Sequence, residues 1–301
     1  MYKLMVVFIL LCYPIIVPPN VSSESNYLGE KECFACHRPK KELYLNNKHG
    51  KIFSSAPGND LEAKGCEACH GPGTMHKEAI NREDKDLKIE SFKKSTSTPA
   101  EKNKRCLACH ENGKRSQWQG NAHAMSGVSC VTCHKIHDAK SESMIPTMEV
   151  CFTCHKERRA QLQRSSHMPL REGKVTCMDC HNPHGGNGPS SLKASSVNET
   201  CYSCHQERRG PMLWEHAPVR ESCTTCHEPH GSNFESLLKV KVPYLCQSCH
   251  DVQFHPSTLY SANQIPGGSA AAAKQLLGKG CINCHSQIHG SNHPSGARLQ
   301  R

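Results

Sequence analysis

Aromatic residues make up only 5% of this 301-residue chain, and just two of them are tryptophan. A conventional core of that length would draw on far more large apolar side chains, so something other than side chains must fill the interior. Long apolar runs are also missing. Leu4 to Val17 is the one marked stretch, and it is too short for a secure membrane span. With Lys3 before it and small polar residues after it, the stretch reads as a secretory leader over residues 1–23. No later segment could carry the mature chain through lipid as a helix of its own.

Cysteine is abundant by contrast, with 21 residues, and histidine is equally so at 21. Twenty of the cysteines fall into C-x-x-C-H, which occurs ten times. The motifs are Cys33/Cys36/His37, Cys66/Cys69/His70, Cys106/Cys109/His110, Cys130/Cys133/His134 and Cys151/Cys154/His155 in the first half. Cys177/Cys180/His181, Cys201/Cys204/His205, Cys223/Cys226/His227, Cys246/Cys249/His250 and Cys281/Cys284/His285 follow. Only Cys12 remains, inside the leader. Zinc knuckles use paired C-x-x-C without a histidine after every second cysteine, and a disulfide framework has no use for that histidine. The pattern is the attachment signature of c-type haem: two thiols for the two porphyrin vinyls, and an imidazole for one axial position of the iron. Ten covalently bound haems are expected. Export agrees, because unattached thiols would pair in an oxidising compartment.

Each iron has a second axial position. Eleven histidines lie outside the motifs, and they follow the motifs in order. The chain divides into five two-haem units. In each, the first motif is followed at a distance by His49, His123, His167, His216 or His255. The second is followed closely by His76, His137, His184, His230 or His289. Those ten are the candidate distal ligands, with His293 left over; sequence leaves open which of them reaches which iron. Met125 and Met168 lie beside two of them but read as packing residues. Two imidazoles per iron imply low potentials and no vacant coordination site.

The formal charge of +10 invites nucleic acid or lipid. Ten haems, with two propionates each and one positive charge per ferric centre, add about −10, so nucleic acid binding is not expected. About 28 residues per haem is too little for a separate core around each. Short helices and turns, little or no sheet, and haems stacked in an elongated chain follow. Cys151 to Arg159 and Cys201 to Arg209 are expected as short helices. Ser269 to Gly278 is another, with a glycine stop. The lysine-rich run 78–105 reads as a polar excursion or linker.

The stretches RRGPMLWEHAPVRESCTTCHEPHGSN, CQSCHDVQFHP and CINCHSQIHGSNHPSG resemble the decahaem MtrA/DmsE family, to which MtoA- and PioA-type proteins also belong. The resemblance implies a periplasmic bis-histidine conduit seated in an outer-membrane β-barrel porin. An extracellular multihaem cytochrome would lie on one side and a periplasmic or inner-membrane cytochrome donor on the other. Irregular backbone can cross at membrane depth only when shielded in this way. Respiration of extracellular metal, or oxidation of ferrous iron, is the implied role. The alternatives are a soluble periplasmic shuttle, a filament subunit, or a multihaem reductase of nitrite, hydroxylamine or a sulfur oxyanion. A reductase would need an open iron.

Overall fold

The structure is a computed structural model and describes residues 26–83, 86, 88–93, 96–137, 147–250, 280–294 and 296–300. The leader, His255 and the Ser269–Gly278 segment lie outside the described residues. Among the described residues there are short α-helices, single 3-10 turns and four isolated β-bridges, but no strand. No described helix is long and apolar enough to cross a membrane. The chain divides into two compact units, Met1–Ser95 and Thr96–Arg301.

In the first unit, α1 (Glu30–Cys36), α2 (Arg38–Asn46) and α3 (Lys48–Ser55) follow each other with one-residue breaks. Asn47 caps α3 by accepting from Gly50 N at 2.9 Å. Gly50 has to be glycine, because a methyl there would run into the Tyr44 carbonyl of α2. Two further helices, α4 (Cys66–His70) and α5 (Thr74–Asn81), complete the unit. Its tie is the Glu67 carboxylate, 3% exposed and placed between the two cysteines of a motif. It accepts from Leu28 N (3.0 Å), Gly29 N (2.8 Å) and Gly73 N (2.7 Å), pinning the entry and exit of the chain to α4.

The second unit opens with α6 (Pro99–His110), the longest described helix at 12 residues. The run 78–105, expected as a polar excursion or linker, is helical at both ends. Thr98 and Glu101 form a reciprocal capping box and Pro99 takes the first helical position, so local capping outweighs the lysine content. Beyond it the helices shrink to one or two turns.

Cys151–Arg159 and Cys201–Arg209 are not continuous helices. Each breaks at its histidine, His155 (φ −87, ψ 56) and His205 (φ −105, ψ 55), before a second turn begins. The arginines fold back on the first turn. Arg209 forks onto Glu199 at 2.7 and 2.9 Å and lies over Tyr202, and Arg159 repeats the arrangement with Glu149 and Phe152.

Only Tyr44, Ala79, Trp118, Leu162 and Leu299 are buried hydrophobics among the described residues. Backbone bridges do more of the tying: Ser166 pairs with Ser232, His181 with Leu192, Trp214 with Ser291 and His227 with Leu238.

Candidate haem-binding sites

Each C-x-x-C-H folds as one helical turn. In eight motifs the histidine N–H bonds the carbonyl of the first cysteine at 2.8–3.0 Å outside the longer helices, while His70 and His110 end α4 and α6. One turn sets both thiols and the imidazole on adjoining faces, the spacing that a two-vinyl attachment needs.

The thiols meet in pairs. Cys33 lies close enough to Cys66 for the two thiols to perturb each other, as do Cys106 and Cys130, Cys151 and Cys177, Cys201 and Cys223, and Cys246 and Cys281. The neighbouring Cys177 thiol pulls Cys151 down to about 6, and Cys151 together with burial pushes Cys177 up. These ten are the first cysteines of their motifs, and all are half-buried.

The second cysteines divide into two groups, and the pair meeting leaves them out. In the first motif of each pair the second cysteine is exposed: Cys36, Cys109, Cys154, Cys204 and Cys249. In the second motif it is half-buried at Cys69, Cys133, Cys180 and Cys226, whereas Cys284 of the last pair is exposed. The half-buried ones of the second unit reach the following pair electrostatically: Cys133 reaches Cys151 and Cys154, Cys180 reaches Cys204, and Cys226 reaches Cys249. Cys69, in α4, lies within such reach of Tyr44. Cys109 sits in the last turn of α6, and Cys284 closes its turn through its N–H on the Cys281 carbonyl at 3.2 Å. Each second cysteine thus stands on the same one-turn frame as the first, one vinyl away.

Among the described residues, at least six motif histidines face a non-motif histidine. The ring centroids are 6.3 Å apart for His37–His76, 5.9 Å for His134–His184 and 6.2 Å for His181–His230. They are 6.1 Å apart for His216–His250, His227–His289 and His123–His155. Five pairs are within 22° of parallel and the sixth is at 72°. Two imidazoles on opposite sides of one metal, each bonded at about 2 Å, hold their centroids roughly 6 Å apart. The gap is therefore the width of an iron.

The partners come from different places. In the second unit, the second haem motif of a pair meets the histidine just after the next pair's second motif: His134 with His184, His181 with His230, His227 with His289. The first motif meets a histidine that follows the previous pair's first motif: His155 with His123, His250 with His216.

Hydrogen bonds fix the tautomers. Nδ1 of His70 donates to Glu90 O (2.7 Å), His123 to Pro183 O (2.9 Å) and His216 to Ile288 O (3.0 Å). His181 donates to Ser190 O (2.9 Å), His227 to Ser236 O (2.7 Å) and His285 to Arg298 O (2.6 Å). A carbonyl only accepts, so the proton sits on Nδ1 and the lone pair on Nε2, the state that binds a metal. Burial pushes His184, His230 and His289 below the ordinary imidazole range, keeping them neutral.

Sequence reasoning did not foresee the carbonyl acceptors. At Ser190–Ser191 and Ser236–Leu237 two successive residues take positive φ, between 53 and 58°, and turn a carbonyl back onto the motif histidine. The H-G at His184 and His230 is legible in sequence. Gly185 (φ 122) and Gly231 (φ 134) lie against the backbone carbonyls of Gln117 and Gln161, leaving no room for a side chain.

His49 lies in α3 with its ring 5.5 Å from Phe53, and His70 has Phe92 at the same distance. His137 follows the fourth motif on a turn. His167 is not brought to a motif histidine: Nδ1 meets Arg164 O (3.0 Å) and Nε2 meets Glu172 Oε1 (3.1 Å). The donor set, the ring gaps and the tautomers fit haem.

Known proteins agree with this chemistry. The family of the doubled CXXCH motif matches residues 167–210 and 216–255. The family of NrfB-like c-type cytochromes matches 66–149, and that of cytochrome c554 and c-prime matches 19–71. The multiheme cytochrome MtrA of Shewanella baltica is 44% identical over 286 residues, covering 93% of this chain and 84% of that protein. Cytochrome c-554 of Nitrosomonas europaea is 30% identical over 123 residues, covering 34% of this chain and 48% of that protein. With identity at that level across nearly its whole length, the chain belongs to the MtrA family of multihaem c-type cytochromes, and it is an electron carrier rather than an enzyme.

Proposed function

We propose that the protein carries ten haems, each ligated by two histidines, and conducts electrons across the periplasm and the outer membrane. The six imidazole gaps of 5.9–6.3 Å carry the reading, because each matches the width that two imidazoles on one iron require, and an iron so held would have no axial position for a substrate. The ten motif histidines are the proximal ligands. His49, His76, His123, His137, His167, His184, His216, His230, His255 and His289 are the distal ones. His167 and His216 share H-x-P-x-R-E, which assigns His167 to His205 by analogy with His216 and His250.

Bound haem supplies a one-electron couple at low potential. The chain's own residues do the rest. The cysteines would fix each group at two points, and the first cysteines of each pair of motifs stand near enough that paired groups would be attached close together. The carbonyls on Nδ1 hold the imidazoles in register and raise their basicity toward the metal. Because histidines cross from one pair to the next within the second unit, the two-haem units there complete one another, which supports the reading of a stacked array.

The leader, cut after residue 23, would deliver the chain to the periplasm. An outer-membrane β-barrel porin would sheath it, with an extracellular multihaem cytochrome beyond and a periplasmic or inner-membrane cytochrome as donor. Metal reduction or ferrous iron oxidation is the physiological outcome. Electron paramagnetic resonance of the oxidised protein, with haem quantified alongside, tests the ligation: ten haems, all low-spin, are expected, and a substantial high-spin fraction overturns it. Purification from outer membranes tests the sheath, with a β-barrel expected to remain bound.

A further inference from the structure

Two buried donors in the second unit have no acceptor among the protein atoms: Asn121 Nδ2 and Trp214 Nε1. Asn121 is 9% exposed. Its orientation is set, because Oδ1 accepts from His123 N (2.7 Å) and Ala124 N (3.2 Å) at the start of the helix Ala122–Met125, leaving the amide N–H groups on the other side. Trp214 is held by its backbone, which exchanges two 2.9 Å bonds with Ser291. Its indole can turn only within that frame.

The two donors occupy equivalent places. Each stands two residues before a histidine, His123 or His216, that faces a motif histidine across 6.1 Å. In both cases that histidine sends Nδ1 to the carbonyl just before a neighbouring distal histidine, Pro183 before His184 and Ile288 before His289. One local construction has thus been used twice, with an amide N–H in one copy and an indole N–H in the other.

A buried donor without an acceptor costs about 1–3 kcal/mol, so native proteins rarely leave one. The acceptor must arrive with whatever fills the gap. On a porphyrin the strong acceptors are the two propionate carboxylates. Water is a poorer occupant, since an ordered water needs two to four polar partners and each place shows one unmet donor. We infer that Asn121 Nδ2 and Trp214 Nε1 are anchors for haem propionates, the first for the haem between His123 and His155, the second for that between His216 and His250. This rests on the proposed haem occupancy of those gaps.

An N–H on a propionate draws off part of its negative charge and so favours the reduced iron. Trp214→Phe keeps the ring and removes the donor. Asn121→Asp keeps the capping oxygen and replaces the donor with an acceptor. Haem content and spin state are measured first; fewer than ten low-spin haems in the unaltered protein would fault the ligation, not the anchors. Propionate bending bands in the resonance Raman spectrum and the midpoint potentials are then compared. Trp214→Phe should shift one propionate band and lower one midpoint about threefold in equilibrium constant, or about 30 mV at 59 mV per tenfold. Asn121→Asp should lower another midpoint by about tenfold. Unchanged bands and potentials in fully loaded, low-spin variants would overturn the assignment.

Discussion

The two compact units hold the same motif by different polar staples. Asn103 and Asn198, both buried in the second unit, stand three residues before a motif. Each accepts from the first cysteine of the following motif, Cys130 N or Cys223 N, at 2.7 Å. Each also donates, Asn103 to Val128 O (3.2 Å) and Asn198 to Val219 O (2.9 Å) and Arg220 O (3.0 Å). In the first unit the equivalent residue is Glu30, which accepts from Ser54 Oγ at 3.0 Å instead. The tie there is Glu67. An amide both accepts and donates, so it can stitch two stretches of backbone that present opposite groups. A carboxylate only accepts, so Glu67 gathers three N–H groups and nothing else. The kind of staple selects the backbone it can hold.

The largest expected effect strikes the feature that both units share. His76→Ala in the first and His230→Ala in the second should each convert one haem of the set to high spin, read by electron paramagnetic resonance, because each removes half of a ring pair. Variants that stay wholly low-spin would show that another side chain holds that iron.

Breaking the staples separates the units. Glu67→Ala leaves three N–H groups unmet, one buried and two half-buried, and should cost about 3 kcal/mol, whereas Asn198→Leu should cost about 2 kcal/mol. Hydrogen exchange locates the loss. Protection should fall around Leu28–Gly29 and Gly73 in the first case, and around Val219–Cys223 in the second.

A subtler break uses glycine. Gly231→Ala meets both a positive φ of 134° and the Gln161 carbonyl, and should cost about 2 kcal/mol in thermal unfolding. Gly50→Ala, blocked by the Tyr44 carbonyl alone at an ordinary φ, sharpens the contrast between strain and crowding.

The smallest effect belongs to the edge of the second unit. Thr98→Ala removes the capping box of α6 and should cost about 1 kcal/mol, with a matching loss of helical circular dichroism.

Much of the site was legible in the sequence because attachment is local. C-x-x-C-H closes one helical turn, and its cysteines and histidine have their roles wherever that turn is placed. His184 and His230 stand out in the sequence through C-H-x-x-H and the glycine after it. The helix at Pro99–His110 could have been read from Thr98, Pro99 and Glu101, but the surrounding lysines hid it. The broken helices at His155 and His205 could not, since propensity alone continues the turn that the motif histidine leaves.

By itself, then, the sequence determined the number and order of attachment motifs, the supply of imidazoles and the shortage of any other core. Those depend on covalent spacing and composition. Only the tertiary structure decided that His134 meets His184 rather than the nearer His137, and that His155 meets His123 rather than the following His167. A ligand pair is closed through space between turns far apart in sequence, and its geometry depends on carbonyls and bridges that no residue type announces.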